Sequence, residues 1–160
     1  MMEKLDRALC AALKWSCAGL MLAMTLLIFS QVVARYVFHQ SLTWSEEIGR
    51  YIFVWMSFLG LALAVKAKAH VALDVLLKSL HGGAKKAVAL VNGVCVAIFA
   101  AALTYSGLLL LEFGGRQRSA ALELPMDAVY AVIPVSGALL LYFVVRETLL
   151  YLRQEEEGEA

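Results

Sequence analysis

The stretch WSCAGLMLAMTLLIFSQVVA, Trp15 to Ala34, runs for 20 residues without a charge between Lys14 and Arg35. About 20 predominantly apolar residues are needed for a helix to cross about 30 Å of hydrocarbon, so this segment predicts one full membrane span. Its length exceeds the roughly 7–15 apolar residues of a signal-peptide core. Val32-Val33-Ala34 offers only a weak cleavage pattern, and the segment reads as a retained helix.

Charges serve as rulers for the rest of the chain. Lys86 and Glu112 enclose 25 uncharged residues, 87–111, and Asp127 and Arg146 enclose 18, 128–145, including Pro134 and Gly137. Arg50 and Lys66 enclose only 15, 51–65. That is too few to cross unless the helix starts near Glu46 and carries Arg50 inside, which sets the remaining span at 46–65. Four spans fill most of 160 residues and predict one all-α integral membrane domain over 1–160. Composition agrees. Hydrophobic residues are 62% and charged residues 17%, against roughly 45–50% and about 25% in soluble domains. Mean hydropathy is +0.76. A soluble enzyme, a disulfide scaffold and a nucleic-acid binder are all disfavoured, and the net charge of +1 calls for no polyionic partner. Cys10, Cys17 and Cys95 have neither disulfide-framework nor metal-ligand spacing.

Four spans place both termini and the middle loop on one side of the bilayer. That side holds Lys4, Arg7, Lys14, Lys66, Lys68, Lys78, Lys85, Lys86, Arg146 and Arg153; the other holds Arg35, Arg50, Arg116 and Arg118. The excess of basic residues predicts cytoplasmic termini. In the middle loop, Leu73, Leu76, Leu77 and Leu80 fall on one helical face, with Asp74, Lys78 and His81 on another. This predicts an amphipathic interfacial helix over about 70–81, ended by Gly82-Gly83. Leu5, Leu9 and Leu13 form a second stripe, which reads equally as an interfacial helix or as a continuation of the first span.

The span midpoints fall near Met24-Thr25, Ser57-Phe58, Phe99 and Gly137, and none is ionisable. Ion and proton pathways through bilayers are usually marked by such groups. His39, His70 and His81 lie in loops or at membrane edges, where they cannot ligate a haem inside the bundle. No catalytic motif occurs, so the chain is read as a non-enzyme without cofactor or metal.

What calls for explanation is the outward end of the first hairpin, where Arg35 faces Glu46, Glu47 and Arg50 across a short loop. Ser45 can cap the second helix, and the glutamates suit its positive dipole end. Either glutamate can reach Arg50 at helical spacing. Three readings stay open here: a lock between two helices, a contact with another membrane protein, or an ion or substrate site. Tyr36, Trp44 and Tyr51 read as an interfacial belt. Trp44, Trp55, Phe58 and Gly60 offer a candidate partner face, and Gly60 with Ala64 has the spacing for close helix approach. The outward loop carries Arg116 and Arg118.

Arg35-Tyr36-x-Phe38, Trp44-Ser45-Glu46-Glu47-x-x-Arg50, Phe53-x-Trp55-x-x-Phe58-x-Gly60 and His70-x-x-x-Asp74 resemble the DctQ-like small membrane subunit of tripartite ATP-independent periplasmic (TRAP) transporters. Leu124-Pro125-Met126 and Tyr130-x-x-Ile133-Pro134-Val135 are similar to that family's approach to its last helix. The resemblance implies a bacterial inner-membrane protein partnered by a large multi-span permease subunit and a periplasmic substrate-binding protein. The large subunit carries the sodium and organic-acid sites, and the small one is a scaffold embedded in membrane lipid. Arg35, Glu46, Glu47 and Arg50 would then hold the hairpin for assembly, with Arg116 and Arg118 as a docking patch for the binding protein. Two rivals remain: a self-sufficient small oligomeric transporter or channel, and a membrane anchor or assembly factor.

Overall fold

The computed structural model describes residues 2–40, 42–66 and 83–158. Within them the chain forms α1 (Met2–Tyr36), α2 (Thr43–Lys66), α3 (Gly83–Gly114), the short α4 (Met126–Tyr130) and α5 (Val132–Gly158). Four segments are long and apolar enough to cross a membrane: Asp6–Tyr36, Thr43–Lys66, Ala87–Gly114 and Met126–Tyr151. Each contains one span expected from the charge rulers. The expected interfacial segment at about 70–81 lies outside the described residues.

Every helix extends past its charge-free run, because a charged residue ends hydrocarbon, not helix. At the N-terminus α1 is unbroken from Met2, so the Leu5, Leu9, Leu13 stripe continues the first span and is not a separate element. The fourth span is interrupted at Ala131, between α4 and α5. Pro134 explains the break. It has no N–H for the carbonyl of Tyr130, and its ring crowds that carbonyl.

The helices stand in an open row, α1–α2–α5–α3. Helix α5 packs against both α2 and α3, whereas α1 approaches only α2 along the backbone. The core follows the row. Val132, Leu140 and Phe143 of α5 are fully enclosed with Ala62 of α2 and Ala100 of α3. Large apolar side chains cover the outside, among them Trp15, Leu22 and Phe29 on α1 and Ile98 and Leu108 on α3. In water such a surface would drive association; facing lipid tails it carries no penalty.

Small residues decide how closely α3 meets α5. Gly93, Ala100, Gly107 and Gly114 recur every seventh residue, and all four are buried. A β-carbon on Gly107 would lie 2.7 Å from the Pro134 nitrogen, and one on Gly137 2.9 Å from the Thr104 nitrogen. A seven-residue period keeps one seam facing one partner along the helix, and glycine lets the two backbones touch. The Gly60–Ala64 pair does not serve this purpose. Nothing lies within 4 Å of a β-carbon at Gly60, Ala64 is exposed, and Ala62 between them is the residue fully enclosed.

Candidate functional site

At the hairpin end, the guanidinium of Arg35 lies 2.9 Å from Glu46 Oε1, with both side chains about half exposed (53% and 50%). The amide of Gln31 donates to the same oxygen at 3.1 Å. An exposed pair of this kind adds about 0–1 kcal/mol. It joins α1 to α2 without holding them together alone.

Glu47 is different because it is buried. Its Oε2 accepts the backbone N–H groups of Ala121 at 2.8 Å and Leu122 at 3.2 Å, and its Oε1 accepts the Tyr51 hydroxyl. One carboxylate thereby anchors the loop between α3 and α4 onto α2. That loop closes on itself as well. The Ser119 N–H donates to the Leu124 carbonyl at 2.9 Å, while the Ser119 hydroxyl oxygen accepts the Leu124 N–H at 3.1 Å. Arg118 donates to the Glu123 carbonyl at 3.2 Å. Glu123 has φ of 51°, in the left-handed region. Tight-turn N–H groups need acceptors when enclosed, and a carboxylate is a strong one.

These bonds correct two expectations. Neither glutamate pairs with Arg50: Glu46 is engaged by Arg35, and Glu47 by the loop backbone and Tyr51. Ser45 does not cap α2, which starts at Thr43; its hydroxyl donates back to the Leu42 carbonyl at 2.7 Å. Arg50 is exposed and lines a cleft of about 340 Å³ with Glu46, Glu47, Gln117 and Arg118. The structure therefore brings together Arg35 with Glu46, and Glu47 with the loop that carries Arg118. Arg116 is exposed in the same loop. Among the candidate partner residues, Trp44 is exposed, Trp55 and Phe58 pack against the chain's own core, and Gly60 faces open space.

A second charge cluster, at the opposite end of the helices, escaped sequence reasoning. Asp6, itself 5% exposed, lies 2.9 Å from Lys66, pairs with Arg146 and accepts the Tyr142 hydroxyl at 3.0 Å. Lys66 also pairs with Glu147. This ties the start of α1 to the end of α2 and to α5, although α1 and α5 are not backbone neighbours. The available signal was an acid, Asp6, placed just before an apolar run on the predominantly basic side.

Apolar helices in a row, with charge networks confined to the two ends, define a multi-pass membrane protein. Residues 24–154 match the family described as tripartite ATP-independent periplasmic transporters, DctQ component. The chain belongs to that family. It is 30% identical over 142 residues to a putative TRAP transporter small permease protein of Haemophilus influenzae, covering 89% of this chain and 86% of that one. A second such protein of the same organism is 39% identical over 80 residues, which is half of each chain. The sialic acid TRAP transporter permease protein SiaT of Haemophilus influenzae is 28% identical over 149 residues, covering 85% of this chain and only 22% of that much longer one.

Proposed function

We propose that this chain is the non-catalytic accessory subunit of a sodium-driven organic-acid transporter, built to stabilise a large permease subunit and to work with a periplasmic binding protein. One observation carries the reading: ionisable side chains sit at the ends of the described spans and none at their midpoints. Coupled transport needs groups that bind ions at depth, so that chemistry belongs to another polypeptide. The match to a fifth of a sialic acid permease protein supports this, since most of that relative has no counterpart here. Sialic acid is an organic acid, consistent with the solute class. The chain sits in the bacterial inner membrane with both termini cytoplasmic, in keeping with its basic residues.

The hairpin residues Arg35, Glu46 and Glu47 hold the outer end in shape for assembly, and Arg50 stands exposed beside them. Trp44, exposed near the start of α2, and Gly60, which meets open space on another side of that helix, mark surfaces toward the permease subunit, whereas Trp55 and Phe58 are taken up by the chain's own core. Arg116 and Arg118 mark the patch toward the binding protein. Gentle solubilisation followed by capture of this chain tests the reading. A large multi-span permease should co-purify, and recovery of a non-transport complex instead would refute it.

A further inference from the structure

We propose that the cleft between the start of α2 and the α3–α4 loop seats the headgroup of a zwitterionic aminophospholipid, with the phosphate on Arg50 and Arg118 and the ammonium on Glu46. Arg50 lies seven residues past the first residue of α2, inside a membrane-crossing segment. An unpaired guanidinium within such a segment is costly, and an anion relieves that cost. Neither nearby carboxylate pairs with it, since Glu46 meets Arg35 through Oε1 and Glu47 meets the loop backbone and Tyr51, and Arg50 has no ion pair or hydrogen bond among the described residues. The opposite wall of the cleft is lined by Arg118, whose guanidinium also donates to the Glu123 carbonyl, and by Gln117, and Thr43 lies on the α2 side. Two arginines lining one cleft suit the oxygens of a phosphodiester.

The second half of the match is Glu46. Its Oε1 takes both the Arg35 and Gln31 bonds, which leaves Oε2 turned to no described donor. Glu46 and Arg50 stand one helical turn apart, with β-carbons about 5–6 Å from each other. Ethanolamine links ammonium to phosphate through two carbons, so a dipolar headgroup laid along that turn meets a carboxylate at one end and a guanidinium at the other. Below Arg50 on the same face, Phe53 is 53% exposed and gives an acyl chain an apolar track. Arg50 stands near the outer end of its span, where a guanidinium can reach up to the lipid phosphates, whereas an acidic side chain of the binding protein would have to enter the bilayer edge to reach it.

The test uses the purified full chain, stripped of lipid in detergent and titrated with phosphatidylethanolamine, phosphatidylglycerol or inorganic phosphate, with bound molecules counted by native mass spectrometry. One phosphatidylethanolamine per chain should be retained, phosphatidylglycerol should bind about two- to five-fold more weakly, and inorganic phosphate should not persist. Arg50→Gln should weaken phosphatidylethanolamine about ten-fold or more, the effect of losing a charge-assisted contact. Glu46→Gln should abolish the preference for phosphatidylethanolamine over phosphatidylglycerol, and it decides the matter should Arg50→Gln fail to fold. Lys4→Gln, on the far side of the molecule, should change nothing. Equal retention of both lipids by the unaltered chain overturns the proposal, as does unchanged phosphatidylethanolamine binding in Arg50→Gln. Loss of binding-protein capture with intact lipid binding in that variant would assign Arg50 to an acidic protein partner instead. Because the measurement is made on this chain alone, its failure leaves the subunit role untouched.

Discussion

At the scale of single residues, neighbouring glutamates of one helix have different tasks, and burial separates them. Arg35→Ala breaks an exposed pair, so it should change the stability of the isolated chain by less than about 1 kcal/mol. Glu47→Ala leaves two loop N–H groups and the Tyr51 hydroxyl without their acceptor, at about 1–3 kcal/mol. It should lower the melting temperature and open the loop after Gly114 to protease. Equal melting temperatures for the two variants would contradict the bonding described here. Asp6→Ala should be more costly, about 3–5 kcal/mol, because it leaves Lys66 and Arg146 close together with their shared carboxylate removed. A thermal melt of the purified variant measures that loss. These differences explain what could be read from sequence. That Arg35, Glu46, Glu47 and Arg50 gather at one end follows from a short loop between two spans. Which partner each takes does not, because Glu47 is claimed by Ala121 and Leu122, more than seventy residues away. The Asp6 cluster was hidden for the same reason: Lys66, Tyr142 and Arg146 reach it only through the order in which the helices pack.

At the scale of helices, apolar length was legible and contact faces were not. Uncharged runs marked three spans outright, since lipid tolerates charge best at the ends, and the second needed Arg50 to be carried inside its helix. A break such as that at Ala131 depends on one proline three residues on. The α3–α5 seam was written in the chain as Gly93, Ala100, Gly107 and Gly114, yet short small-residue pairs are frequent in apolar sequence, and Gly60 with Ala64 drew attention instead. The two sites give opposite expectations. Gly137→Ala pushes a β-carbon against the Thr104 backbone and should cost about 1–3 kcal/mol through overpacking. Gly60→Ala meets open space and should leave the melting temperature of the isolated chain unchanged or raise it, as replacing a helical glycine by alanine gains about 1 kcal/mol. If the partner covers that face, Gly60→Leu should spare the isolated chain yet lower its co-purification with the permease subunit. Undiminished co-purification would place the contact elsewhere.

At the scale of the molecule, the row arrangement bears on function more directly than any side chain. A row one helix thick, α1–α2–α5–α3, encloses no path between the two membrane faces, because α1 and α3 do not meet to close it. A closed bundle with a polar axis would have been compatible with an independent carrier. This layer, with apolar side chains outward and charges at its ends, suits a wall against which something larger moves. In that proposed role the layer must resist shear, and the two charge clusters brace opposite ends of its helices: Glu47 anchors the loop after α3 to α2, and Asp6 links α1 to α2 and α5. Reconstitution separates wall from carrier. Liposomes containing this chain alone should accumulate no organic acid under a sodium gradient, whereas adding the large permease subunit and the binding protein should restore uptake. Removing this chain from the complete set should abolish or strongly reduce it. Gradient-driven accumulation by the chain alone would require copies to assemble a polar path from surfaces that are apolar on every described span, and would overturn the accessory role.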